Sequence, residues 1–183
     1  NKQDTKISHF DAFANARFNY SIFHLDAGAR ITKNSKFGEH WVYNINPYLY
    51  HEIGNWFGKI GYSIGTAFIA PTLYQNYGSG TYTIANFDLQ PETNESHEIN
   101  ISLGKQNRSI VFNGSIYRRF QKDAITYSIN QYINSGGNRT QGFEVGLDIK
   151  LNSFIKFGGN FSFVEKEIEN EITMARTPKQ RAN

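Results

Sequence analysis

The chain has 183 residues, 39% hydrophobic and 19% charged, with a formal net charge of +3, which is long enough for one domain with its own core. Its basic residues form no run longer than a pair and no dense stripe, which argues against a nucleic-acid partner. It has no Cys, which excludes disulfides and thiolate chemistry, and no apolar run near the ~18 residues of a transmembrane helix.

The dominant pattern is period-two alternation, which predicts strands. Taken in chain order, strands are expected at 9–20, 22–33, 41–52, 57–67, 97–106, 109–122, 139–151 and 155–165. In the second, Phe23, Leu25, Ala27, Ala29 and Ile31 share a face opposite His24, Asp26, Gly28 and Arg30. In the fifth, Ile99, Ile101 and Leu103 oppose Glu98, Asn100 and Ser102. In the seventh, Phe143, Val145, Leu147, Ile149 and Leu151 oppose Glu144, Gly146, Asp148 and Lys150. In the eighth, Ile155, Phe157, Gly159, Phe161 and Phe163 oppose Lys156, Gly158, Asn160 and Ser162. Most of these segments reach the ~9–11 residues that a tilted strand needs to cross a bilayer, whereas soluble strands average about 5–6.

The connections alternate in length. Short ones fall around Asn19–Ile22, Ile53–Trp56, Gln106–Ser109 and Asn152–Phe154. Long ones fall around Lys33–His40, Phe68–Ser96 and Asp123–Asn138. Outer-membrane barrels have short periplasmic turns and long extracellular loops. Aromatic residues gather at both ends: Tyr20, Phe23, Trp56, Phe57 and Phe154 at the short turns, and Trp41, Phe68, Phe120, Phe143 and Phe163 near the long loops. Two interfacial girdles would look like this. The small residues Ala12, Ala14, Ala16, Ala27, Ala29 and Gly114 on the apolar face would fill a barrel interior poorly but cost little against lipid. The apolar face is therefore expected outward, so that Ile149→Arg should be costly and Asp148→Arg much less so.

The segment 68–98, "FIAPTLYQNYGSGTYTIANFDLQPETNESHE", carries Pro71 and Thr72 after a strand-ending Phe68, then Tyr77-Gly78, then Asn86, Leu89, Pro91, Glu92 and Glu98. Further on, Asn134 precedes a Gly-x-Glu element, Gly142 and Glu144. In order and spacing these pieces resemble the TonB-dependent outer-membrane receptors, with Ala85 standing where that family usually has Gly. The resemblance covers about 60–150 well. It implies a barrel of about 22 strands with an N-terminal plug and a TonB box, of which 1–183 would be a partial barrel domain carrying neither plug nor terminal strand. It implies uptake of a scarce nutrient, a ferric siderophore or cobalamin, with TonB acting through the plug and lipid as the surrounding partner. The barrel would then sit in the outer membrane of a Gram-negative bacterium. The bland reading of Glu92, Glu95 and Glu98 is solvated rim charge.

Enzyme signatures are absent. His9, His24, His40, His51 and His97 have no HxxxH or HExxH spacing. There is no GxSxG and no phosphate loop. No cofactor or metal is expected. Ligand contact is expected instead from the long loop, at Tyr74, Gln75, Asn76, Tyr77, Tyr82 and Phe87, because loop Tyr and amide side chains adapt to bulky polar ligands. Two alternatives stay open: a complete eight-stranded barrel acting as anchor or adhesin, which requires the first and last strands to pair, and a soluble lipocalin-like carrier, which requires the apolar face inward.

Overall fold

The computed structural model describes residues 6–168 and 180–182. In chain order the elements are β1 (His9–Tyr20), β2 (Phe23–Asn34), β3 (Gly38–Ile53), β4 (Trp56–Ile69), a one-turn helix α1 (Leu73–Tyr77), β5 (Glu92–Lys105), β6 (Ile110–Lys122), β7 (Ile125–Ser128), β8 (Gln131–Asn134), β9 (Asn138–Lys150), β10 (Lys156–Ile168) and β11 (Gln180–Ala182). β7 and β8 make a small hairpin, and the rest form one antiparallel sheet in the order β1-β2-β3-β4-β5-β6-β9-β10-β11. All eight expected strands are present. Among the described residues β1 pairs with β2 alone, and β10 pairs with β9 and β11. The sheet is open, so a complete eight-stranded barrel is not what this chain forms by itself.

Alternation places the residues of each strand on two faces, and the registers join them into rows. One row on the apolar face runs Ile60, Ile101, Gly114, Val145, Phe161. Another runs Ala12, Ile31, Trp41. The opposite face carries Asn15, Gly28 and Asn44 in one row, with Arg17 paired to Asp26 at 2.5 Å in the next. Among the described residues the buried hydrophobic side chains are Leu89, Val111 and Ala124. The sheet is therefore a wall with two exposed faces, and among the described residues no apolar interior of the kind a lipocalin-like carrier needs is built.

The apolar face ends sharply below the loops. Ile99, Ile116, Phe143 and Phe163 form the last apolar row on β5, β6, β9 and β10, and the next row up is His97, Arg118, Gln141 and Glu165. A strand of 13 residues, such as β9, runs about 44 Å, or about 34 Å along the normal at a tilt of about 40°. That exceeds an apolar band of about 25 Å, so the strands stand proud of the membrane at the loop end.

Tight turns close the other end. Asn152 Oδ1 accepts from the N–H groups of Phe154 and Ile155, both at 2.9 Å, and Asn107 Oδ1 accepts from Ser109 N–H at 3.0 Å. The expected long connection at Lys33–His40 is corrected. β2 and β3 keep pairing up to Asn34↔Gly38, leaving Ser35–Phe37 as the turn, with Asn34 Oδ1 accepting from Lys36 and Phe37 N–H. Pro47 lacks an N–H, and the β3–β4 ladder skips Asn46 and Pro47. That ladder stops at Asn44↔Gly65. Above it Tyr43 N–H donates to Thr66 Oγ1, and His40 stacks on Phe68 at 3.8 Å.

Candidate ligand-contact loops

Residues 70–91 do not hang as an open loop. Thr72 caps α1: its hydroxyl accepts from Gln75 N–H while Gln75 Oε1 accepts from Thr72 N–H, a reciprocal capping box. Gly78 ends the helix at φ 64°, and a Cβ there would run into the Thr83 carbonyl, so glycine is required on both conformational and steric grounds. Leu89, in the same segment, is fully buried.

The second long loop packs on the first. β7 and β8 turn through Ile129 and Asn130, both at positive φ. Asn86 Nδ2 donates to Tyr132 O at 2.8 Å, Gln131 Nε2 to Ala85 O at 2.8 Å, and Tyr127 Oη to Tyr82 O at 3.0 Å. Asn134 ties the base, accepting from Gln90 N–H and donating to Gln90 O and Asp123 O. Glu92 accepts from Ile125 N–H at 2.6 Å and Gln121 Nε2 at 3.1 Å. It is a loop anchor, which corrects its reading as a solvated rim charge.

The six expected contact residues divide in two. Asn76 is fully buried: its Oδ1 accepts from Lys36 Nζ at 2.6 Å and its Nδ2 donates to Thr72 O at 3.1 Å. It cannot touch a ligand from outside, and Gln75 spends its side chain on the cap. Tyr74, Tyr82 and Phe87 are exposed. Tyr74 also donates to or accepts from Thr83 Oγ1 and meets the Tyr132 ring edge-on. Tyr77 is half-buried, edge-on to Phe87 and beneath the Lys36 ammonium at 5.4 Å. Sequence reading missed Lys36, Tyr127 and Tyr132. An isolated Lys at a hairpin tip carries no signal for a contact 40 residues away. The one Tyr pair facing across the Ile129–Asn130 turn, Tyr127 and Tyr132, would have been visible as a hairpin pattern.

The remaining motif residues serve the fold or the polar face. The Pro71 carbonyl accepts from Asn76, Asn86 Oδ1 accepts from Asp88 N–H, and Pro91 precedes β5. Gly142 faces Tyr117 across the β6–β9 ladder, and a Cβ there would strike Phe163 O and the Tyr117 hydroxyl. Glu98 and Glu144, on strands flanking β6, line one cavity of about 410 Å³ with Tyr117 and Arg119 and make no ion pair among the described residues. No group of three metal-ligating side chains occurs among the described residues.

A sheet of membrane-length strands with one apolar face, tight turns at one end and packed loops at the other matches the family of TonB dependent receptor-like β-barrels over residues 1–183. The chain belongs to that family. Its members are outer-membrane transport receptors of Gram-negative bacteria and not enzymes. No curated protein matches the chain. Among solved structures it is similar to the siderophore receptor PirA of Pseudomonas aeruginosa, at 22% identity and a TM-score of 0.79, covering 90% of this chain and 33% of that one. It is similar to the ferric enterobactin receptor PfeA of the same organism, in complex with enterobactin, at 20% identity and a TM-score of 0.71, covering 87% and 27%. The RagAB peptide importer gives 19% identity and a TM-score of 0.70, covering 87% and 22%. The chain thus spans about a third or less of these receptors, and the likeness shows their barrel fold.

Proposed function

We propose that this chain is a wall segment of an outer-membrane importer that takes up a scarce nutrient, a ferric siderophore or cobalamin, with energy delivered through TonB. The observation that carries the reading is the family match along the whole chain, joined to a compact aromatic loop cap at the end opposite the tight turns. Tyr74, Tyr82 and Phe87 are the exposed first contacts, and Tyr77 and Gln75 hold the surface that presents them. Aromatic rings on a pre-folded loop lose little conformational entropy when they bind. The polar face lines the lumen, where the complete receptor's plug packs, and Glu98 and Glu144 are docking points for basic side chains on it.

The test is uptake by the full-length receptor in a receptor-deficient Gram-negative host, with and without TonB. The panel holds ferric hydroxamates, ferric catecholates, cyanocobalamin and an oligopeptide pool, the last because a peptide importer shares the fold. TonB-dependent accumulation of a siderophore or cobalamin is expected, reduced about tenfold by joint Tyr74→Ala and Tyr82→Ala replacement. Accumulation of none of them, or accumulation independent of TonB, contradicts the reading.

A further inference from the structure

The polar face holds a hollow whose lining charges are all of one sign. A bay of about 560 Å³ crosses it from β1 to β6, a size in the range of roughly 300–1,000 Å³ that small-molecule sites occupy. One register row runs through it: Asn15, Gly28, Asn44, Gly65, Ser96, Arg119. The glycines keep the wall low, and Asn15 and Asn44 close over Gly28, where a Cβ would strike both carboxamide oxygens. On β5 the bay reaches Ser96, three residues above Ile99. That is about 8 Å nearer the loops at a tilt of about 40°. It therefore opens to water between the apolar band and the loop cap that Glu92 anchors.

Arg30 and Arg119 flank the bay from β2 and β6, and among the described residues no Asp or Glu lines it. Within the described residues neither guanidinium has an ion pair or a hydrogen bond, and the Asn15, Asn44 and Asn94 carboxamides have no hydrogen bond either. The acids of neighbouring rows on this face are engaged or belong elsewhere. Asp11, on the loop side of Arg30, accepts from the Thr32 hydroxyl and meets His9 at 3.8 Å. Asp26 holds Arg17 at 2.5 Å. Glu98, one row toward the turns, lines with Glu144 a separate cavity that Arg119 also borders, and makes no ion pair with it. Sign thus changes along the wall, from carboxylates at the level of Glu98 and Glu144 to guanidiniums in the bay.

We propose, resting on the importer reading above, that this bay is a staging site for an anionic ferric chelate and that the receptor selects its nutrient by negative charge. Four strand spacings separate the two arginines, about 19 Å along the sheet, which suits the two sides of a bulky anion and not one small one. Guanidinium forks donate charge-assisted hydrogen bonds to carboxylate or catecholate oxygens, and the amides between them donate to what remains. A concave wall of one sign also raises the local concentration of opposite charge. A ferric tris-catecholate is a trianion and answers to this bay, whereas a ferric tris-hydroxamate and cyanocobalamin are neutral and do not.

The test is equilibrium dialysis of the purified full-length receptor, which needs no TonB, against a ferric tris-catecholate, ferric citrate, a ferric tris-hydroxamate and cyanocobalamin. An anionic chelate is expected to bind at least about tenfold more tightly than either neutral ligand, with affinity falling as salt rises. The R30Q/R119Q double variant should weaken that binding about tenfold. Lys59→Gln, on the same face but three rows nearer the turns, should bind as wild type. Heat-modifiable gel migration certifies that each variant is a folded barrel. Neutral ligands bound as tightly as anionic ones, or unchanged anion binding by a folded double variant, overturns the inference while leaving TonB-dependent uptake in place. Faster amide exchange in the plug of the double variant, with chelate affinity unchanged, assigns the arginines to the plug and overturns it as well. Binding of none of the four, together with no TonB-dependent uptake, overturns the importer reading and the inference with it.

Discussion

Single side chains decide the shape of the loop cap. Asn76 joins α1 to the β2–β3 hairpin through Lys36 and is wholly buried. Removing its carboxamide takes an acceptor from the Lys36 ammonium and a donor from the Pro71 carbonyl, a loss of about 1–3 kcal/mol in local stability. Asn76→Ala should therefore speed amide exchange at Gly78 and Asn86 by more than tenfold, with the sheet amides unchanged. Unaltered exchange would mean that the latch is ornamental. Gly142 is constrained by its neighbours and not by a positive φ. Gly142→Ala pushes a methyl into Phe163 O and the Tyr117 hydroxyl, an overpacking cost of about 1–3 kcal/mol. A lowered denaturant midpoint for the full barrel is the expected result. Neither role was legible as a role in the sequence. Gly142 stood out as part of a motif, but its reason is the Tyr117 ring on another strand. Asn76 looked like any loop amide.

At the scale of elements, the membrane-crossing parts of all eight long strands were legible because lipid on one side and water on the other write a period of two. Strand ends beyond the membrane were not. Thr93–Ser96 of β5 is paired strand, yet its residues are all polar, so nothing alternates in hydropathy and the segment reads as loop. The β7–β8 hairpin was missed although Tyr127 and Tyr132 face each other across its turn. Register also moves the mutational test of orientation. Ile149 lies next to the end of β9, whereas Val145 is mid-strand between Gly114 and Phe161. Val145→Arg should cost about 2–4 kcal/mol, as a cation near the bilayer midplane does. Ser162→Arg, on the polar face beside Glu144, should cost much less. Equal costs in a vesicle-folding assay would contradict the assignment of faces.

At the scale of the whole molecule, the chain is an open sheet whose two edges await neighbouring strands, so its stability belongs to the complete barrel. Fold and family were readable from the strands and the Leu-x-Pro-Glu and Gly-x-Glu elements. The identity of the proposed nutrient was not, because the loop surfaces proposed to meet it are assembled across tens of residues, as Tyr82 with Tyr127 and Tyr74 with Tyr132 show. The central claim is that the apolar face meets lipid and the polar face meets the lumen. Its most direct test is spin-label accessibility at successive positions 143–148 of the full-length receptor in bilayers. Labels at Phe143, Val145 and Leu147 should collide preferentially with oxygen, and labels at Glu144, Gly146 and Asp148 should not. Loss of that alternation, or its inversion, would contradict the claim.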